Sequence, residues 1–77
     1  MTRHWMHPEK HRYYKADLVR DLFGEWTLVL TWGGLDTARG WQRITAVPSY
    51  EDGMEEIRAV DEHRQKRGYV PYADRAF

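Results

Sequence analysis

The chain has no cysteine, and this absence excludes two common ways of stabilising a small domain. Disulfide bonds cannot form, and a structural zinc ion would find no thiolate ligands. The 77 residues are enough for one domain, so we expect a single unit over residues 1–77. A core of this size contributes only about 3–5 kcal/mol of net stability.

The chain also lacks an excess of either charge and any long apolar run. Twelve basic and twelve acidic side chains cancel, which argues against a protein that coats nucleic acid by bulk charge. Local basic patches stay possible, because electrostatic fields act over about 8–10 Å in physiological salt. Apolar runs such as Leu28-Val29-Leu30 are far too short to cross a bilayer, and the N-terminus has no apolar signal segment. We therefore expect a cytoplasmic protein without a membrane partner.

Aromatic side chains are what the chain has in quantity: four Trp, five Tyr and two Phe. A fully buried aromatic ring removes roughly 150–250 Å² from water. A few such rings are enough to form the core of a small domain, so we expect an aromatic-rich core.

The clearest local pattern predicts a helix over about residues 50–67. Ser49 precedes two acidic residues, as an N-cap does, and Gly68 follows the basic last turns as a left-handed residue would. Apolar residues recur at intervals of three and four on one helical face, at Tyr50, Met54, Ile57 and Val60. Gly53 lies on that face and permits a close approach to a sheet.

Upstream of the helix the apolar period changes to two, which is typical of strands. Residues 13–20 and 25–32 alternate in this way, and the turn at 21–24 between them predicts an antiparallel hairpin. Residues 41–47 form a third β-rich segment after a loop from Gly33-Gly34 to Gly40, and residues 3–7 are a weaker candidate. We expect an α+β fold: an antiparallel sheet of three to five strands, in order along the chain, with one C-terminal helix on one face.

The residues for catalysis or metal binding are few. Ser49 is the only serine and is accounted for as a helix cap, and Gly33-Gly34 lacks the spacing of a phosphate-binding loop. His4, His7 and His11 are close in sequence, but we interpret them as exposed polar residues on a mobile terminus. We expect a binding protein without catalytic residues, bound metal or cofactor.

One corner of the sequence favours binding. Trp32 ends its strand beside two glycines, and Arg39, Trp41 and Arg43 follow shortly after. Alternation places Trp32 in the row that faces the core, so burial is one interpretation. The other is an accessible indole that stacks on a base or sugar while guanidinium groups contact phosphates.

These residues resemble the WGR domain family. The chain carries Arg12-Tyr13-Tyr14, then Asp21-Leu22-Phe23-Gly24-Glu25-Trp26 as in bacterial members, then Trp32-Gly33, Ser49 with Glu51, and Lys66-Arg67-Gly68-Tyr69. The resemblance covers a core of about residues 3–72. It implies an antiparallel sheet with one helix, similar to the domain that poly(ADP-ribose) polymerases use beside a DNA break.

The resemblance also implies which residues bind. Trp32 and Gly33 would pack on a DNA end, and basic residues would lie near the backbone: Lys10, His11 and Arg12 before the second strand, Lys66 and Arg67 at the helix end. Gly34 departs from the motif, which has arginine there, and Arg39 or Arg43 would restore a positive charge.

Two hypotheses follow. In the first the chain is a weak nucleic-acid module for DNA ends or nicks, with a site formed by Arg12, Trp32, Gly33, Arg39, Arg43, Lys66 and Arg67. In the second it is a protein–protein or homodimerisation module that uses exposed Trp41, Tyr72 and Phe77 with a partly bare sheet face or an open sheet edge.

Overall fold

The computed structural model describes residues 1–37 and 39–72. Along the chain lie β1 (Thr2–His7), β2 (Arg12–Arg20), β3 (Trp26–Gly34), β4 (Gly40–Val47), α1 (Tyr50–Lys66) and β5 (Val70–Tyr72). The strands form one antiparallel sheet in the order β4-β3-β2-β1-β5. The expected α+β class, with an antiparallel sheet and one helix, is confirmed.

Two details of the predicted sheet are wrong. The strands are not all in chain order, because β5 crosses the molecule and pairs with β1 instead of β4. Gly33 and Gly34 belong to β3 and not to the following loop, since they pair with Tyr13 and Arg12 on β2. The ladder therefore continues past Trp32 and holds the two glycines in extended backbone.

The hairpin between β2 and β3 turns where the sequence predicts. The Asp21 carboxylate accepts hydrogen bonds from the backbone N–H groups of Phe23 and Glu25, both at 2.9 Å. Gly24 closes the turn with φ 79°, a conformation that favours glycine. This turn leaves Leu22 and Phe23 100% and 89% exposed at its tip.

The helix α1 begins and ends at the predicted signals. The Ser49 hydroxyl accepts the Asp52 backbone N–H at 3.1 Å, and Gly68 follows the helix with φ 92°. Gly53 faces β2 so closely that a Cβ atom there would lie 2.4 Å from Leu18 Cδ1. The absence of a side chain at position 53 thus sets how near the helix packs on the sheet.

The core lies between α1 and one face of the sheet. Its buried residues come from strands β1 to β4 and from α1: Trp5, Ala16, Leu18, Leu28, Val47 and Ile57. The Trp5 indole N–H donates to Asp61 Oδ1 at 2.7 Å, which satisfies the polar atom of the largest core side chain. The predicted alternation is confirmed, because Lys15 and Thr31 pair with each other on the face away from α1.

Candidate functional site

Three aromatic residues form a row across one end of the sheet. Tyr14 on β2 pairs with Trp32 on β3, and Trp32 pairs with Trp41 on β4, so all three side chains lie on the face that carries α1. The Trp32 and Tyr14 rings stack, with centroids 5.6 Å apart and planes 11° from parallel. Trp32 is partly buried, whereas Trp41 on the edge strand is 58% exposed.

This row borders a cleft of about 400 Å³, which we call the aromatic cleft. It is lined by Arg12, Trp32, Gly33, Gly34, Trp41 and Tyr69. Gly33 has to be glycine, because a Cβ atom there would lie 2.7 Å from the Arg39 carbonyl oxygen. Two facing strands therefore approach closely beside Trp32, and a partly accessible indole forms one wall of the cleft.

A second and smaller cleft of about 160 Å³ adjoins the first, and we call it the basic cleft. It is lined by His7, Lys10, Arg12, Arg64, Arg67 and Tyr69. Arg12 and Tyr69 line both clefts, so the two are direct neighbours. Four of the six lining residues carry a positive charge, although the chain as a whole is neutral.

Arg64 links the helix to the aromatic row. Its guanidinium carbon lies 4.6 Å from the Tyr14 ring centroid and 5.3 Å from that of Tyr69. A cation held over two aromatic faces is restrained in position and keeps its charge. Arg64 therefore presents a fixed positive charge at the boundary between the stacked rings and the basic cleft.

His7 supports the wall of the basic cleft. The sequence did not predict this role. His7 is buried at 8% exposure and is not an exposed residue on a mobile terminus. Its Nδ1 atom accepts the Lys10 backbone N–H at 3.1 Å, and its ring meets Tyr69 edge-on. These contacts fix the turn between β1 and β2 and bring Lys10 to the cleft.

The predicted site residues divide into two groups. Arg12, Trp32 and Gly33 line the aromatic cleft, and Arg67 lines the basic cleft. The other three are exposed and lie outside the residues lining either cleft: Arg39 in the loop before β4, Arg43 on β4, and Lys66 at the end of α1. Arg43 lies on the α1 side of the sheet, two residues along β4 from Trp41.

Of the residues implied as neighbours of the DNA backbone, Lys10 lines the basic cleft and His11 does not. The exposed His11 ring contacts the Asp36 carboxylate at 3.2 Å. Arg64 and Tyr69 were not predicted as site residues. A signal for Arg64 existed, since it follows Val60 by four positions and so continues the apolar face of the helix.

The residues of the alternative interface are dispersed. Trp41 is exposed beside the aromatic cleft, whereas Tyr72 is 46% exposed on β5 at the opposite edge of the sheet. Phe77 lies outside the described residues.

Another groove, of about 570 Å³, lies between α1 and strands β1 and β5, and it suits an anion poorly. Two of its residues are carboxylates, Glu55 and Asp61. Arg58 donates to Glu55, and this hydrogen bond and the attraction between the charges hold the pKa of the Glu55 carboxyl below its usual value. The groove thus has no uncompensated excess of positive charge to attract a phosphate.

Over residues 1–37 and 39–72, no three His, Asp or Glu side chains gather in a way that could hold a metal ion. In the same part of the chain no helix has the length and apolar character needed to cross a bilayer.

Comparison with known proteins identifies one family. The family model described as the WGR domain matches residues 1–76. Neither the curated proteins nor the solved structures contain a significant match.

Proposed function

The chain belongs to the WGR domain family, and from this premise we propose that it is a binding module for DNA ends or nicks. At the level of the family, membership supports a module of the nucleic-acid-binding type. We propose no catalytic step for the chain. We propose that it acts on DNA in the cytoplasm of a bacterial cell.

The observation that carries this proposal is that the two clefts adjoin each other and share Arg12 and Tyr69. Nucleic acid offers flat rings and anionic phosphates at a fixed short separation, and proteins that bind its free strands combine aromatic platforms with cations. Here Trp32 and Trp41 supply the rings, and Lys10, Arg12, Arg64 and Arg67 supply the charge directly alongside. The groove between α1 and strands β1 and β5 and the cleft beside Trp26 also combine rings with arginines, but each of them includes two carboxylates.

The proposed division of labour follows from side-chain chemistry. The indoles stack on the exposed ring or sugar at a strand terminus, and the guanidinium groups of Arg12 and Arg67 hold the adjacent phosphate with paired N–H donors. Arg64 adds charge from a position that the Tyr14 and Tyr69 rings restrain. With four cations in the site and a net charge of zero, we expect modest affinity that decreases with salt.

The proposal is tested by titrating a fluorescently labelled, 5′-phosphorylated nicked duplex with the protein at low salt. We expect saturable binding that Trp32→Ala weakens about tenfold or more, since stacking contributes about 1–3 kcal/mol per base. Trp32→Leu fills the space without an aromatic face and should lose affinity equally. Phe23→Ala removes an exposed ring at the far end of the sheet and serves as the control. Absence of binding, or equal affinity of the Trp32 variants and wild type, would contradict the proposal.

A protein-interaction module is the second candidate, and the tip of the β2–β3 hairpin is the observation that favours it. Leu22 and Phe23 are held fully in solvent by a turn that Asp21 fixes, and they contribute nothing to the core. Light scattering across a range of concentrations discriminates self-association from the first candidate. A stable dimer that Phe23→Ser dissociates would favour the second.

A further inference from the structure

We propose that the two clefts together hold a single unpaired nucleotide at a DNA strand end, with its base in the aromatic cleft and its phosphate in the basic cleft. This inference rests on the proposed function and specifies the form of DNA that the site selects.

The size of the aromatic cleft is the first argument. At about 400 Å³ it lies near the lower end of the range for small-molecule sites, roughly 300–1,000 Å³. Trp32 and Trp41 both border it, because they come from neighbouring strands and project from the same face. A space of this shape admits one ring with its sugar, and a free base can turn out of its stack to enter it.

The unequal exposure of the two indoles is the second argument. Trp41 is 58% exposed at the rim, whereas Trp32 is partly buried farther in and stacked on Tyr14. The broad, flat end of a base pair would meet Trp41 first and would cover only the accessible part of Trp32. A base that has no pairing partner can pass the rim and reach both rings.

The position of the basic cleft is the third argument. It shares Arg12 and Tyr69 with the aromatic cleft, and its volume of about 160 Å³ is less than half as large. Four cations around a space this small suit a phosphate group and leave little room for a second ring. Base and phosphate of the same nucleotide are thus accommodated on either side of Arg12 and Tyr69.

Gly34 is the fourth argument. It lines the aromatic cleft and pairs with Arg12 on the same face of the sheet. A Cβ atom there would lie 2.9 Å from Thr37 Cγ2. Glycine therefore keeps open a space that a long side chain would enter.

The test compares four 5′-phosphorylated duplexes labelled at the far end: one blunt, one with a single unpaired adenosine at the 5′ terminus, one with it at the 3′ terminus, and one blunt but a base pair longer. The longer blunt duplex controls for the added phosphate. We expect at least one of the two overhangs to bind about tenfold tighter than both blunt duplexes. Equal binding of all four would overturn the inference and leave the proposed function intact, whereas a failure to bind every one of the four duplexes would overturn both.

Variants of the protein show which residue is responsible for the preference for an unpaired nucleotide. Trp41→Ala should reduce the ratio of overhang to blunt affinity to about one, and Trp41→Phe should retain most of it. Ile44→Ala is the matched control, since Ile44 is 65% exposed on the same strand but faces the other side of the sheet. A preference that survives Trp41→Ala would show that the base lies elsewhere and would overturn the inference. The comparison of duplexes with wild-type protein is decisive even if a variant fails to fold.

Discussion

Arg12 is the single residue on which the proposed site depends most. It is the first residue of β2 and lines both clefts. The start of β2, the end of α1 and β3 meet at this point. Arg20 ends the same strand, and its guanidinium carbon lies 5.2 Å from the Trp26 ring centroid at the other end of the sheet. The two arginines are therefore a natural pair for comparison, with equal charge and different surroundings.

We predict that Arg12→Ala weakens DNA binding about tenfold and makes the slope of log K against log salt about one unit shallower, because one phosphate contact is lost. Arg20→Ala, which removes the same charge from the remote end of β2, should leave affinity within about twofold. Fluorescence anisotropy at several salt concentrations measures both quantities. Equal losses in the two variants would mean that charge acts in bulk and that no local site exists.

The role of a single residue is predictable from the sequence where its residue type is unusual for its position. Trp32 and Arg12 are identified from an indole before two glycines and from the family resemblance. Arg64 is missed because a cation in the last turns of a helix is adequately explained by the helix dipole. Its contact with Tyr14 joins residues 50 positions apart, and no local pattern encodes that contact.

At the scale of elements, α1 depends on its first turn. The Ser49 hydroxyl accepts the Asp52 N–H and donates to the Asp52 carboxylate at 2.9 Å. This cap fixes the N-terminal end of α1, whereas Arg64 and Arg67 lie at its C-terminal end. Loss of the cap should therefore lower stability without altering the composition of either cleft.

We predict that Ser49→Ala lowers the free energy of unfolding by about 1 kcal/mol, as expected for loss of an N-cap. Ser49→Thr retains a hydroxyl that can accept the same N–H and donate to the Asp52 carboxylate, and it should restore most of the stability. Urea denaturation followed by circular dichroism gives both values. If Ser49→Thr were as unstable as Ser49→Ala, the stabilisation would not come from capping.

Gly53 poses a conflict between propensity and packing. Alanine would favour the helix by about 1 kcal/mol. Its Cβ atom, however, would lie 2.4 Å from Cδ1 and 2.8 Å from Cδ2 of Leu18, which is 1% exposed and has little room to move. Overpacking of this kind costs about 1–3 kcal/mol.

We predict that Gly53→Ala lowers the free energy of unfolding by about 1 kcal/mol, because the clash outweighs the gain in propensity. Ala59→Gly provides a reference for propensity alone, since position 59 is exposed on the same helix. Thermal and urea unfolding of both variants measure the difference. A more stable Gly53→Ala protein would show that Leu18 repacks freely and that glycine is not required here.

The helix and the β2–β3 hairpin are predictable because each has a long periodic pattern and distinct ends. β5 is not, since three residues that include Pro71 are too few to show a period. The extension of β3 through Gly33 and Gly34 is missed for a different reason. Glycine normally marks a loop, but here the ladder with β2 and the close approach of Arg39 require it within the strand.

At the scale of the whole molecule, the two ends of the sheet differ in chemistry. One end carries the aromatic and basic clefts, and the other carries the apolar hairpin tip of Leu22 and Phe23. The neutral total of twelve positive and twelve negative side chains conceals this asymmetry. Composition is therefore a poor guide to the partner, because a partner interacts with the local field within about a Debye length.

The α+β class and the packing of α1 on one face follow from the sequence, since strands and helix each need one face buried. The place of β5 beside β1 does not follow, because it depends on where α1 ends relative to the sheet. The clefts have the same origin, as they form where the helix end, β1, β2, β3 and β4 meet. Their residues extend from His7 to Tyr69, and only the folded chain brings them together.

We propose that DNA occupies the clefts beside Trp32. The four indole N–H signals in a proton–nitrogen correlation spectrum test this position within one molecule. Trp32 and Trp41 border the aromatic cleft. Trp5 is buried with its N–H bonded to Asp61, and Trp26 packs on Tyr50 at the other end of the sheet. On titration with the 5′-phosphorylated nicked duplex, the Trp32 and Trp41 signals should shift while those of Trp5 and Trp26 stay in place. A shift at Trp26 with Trp32 unchanged, or no shift at any indole, would contradict the account.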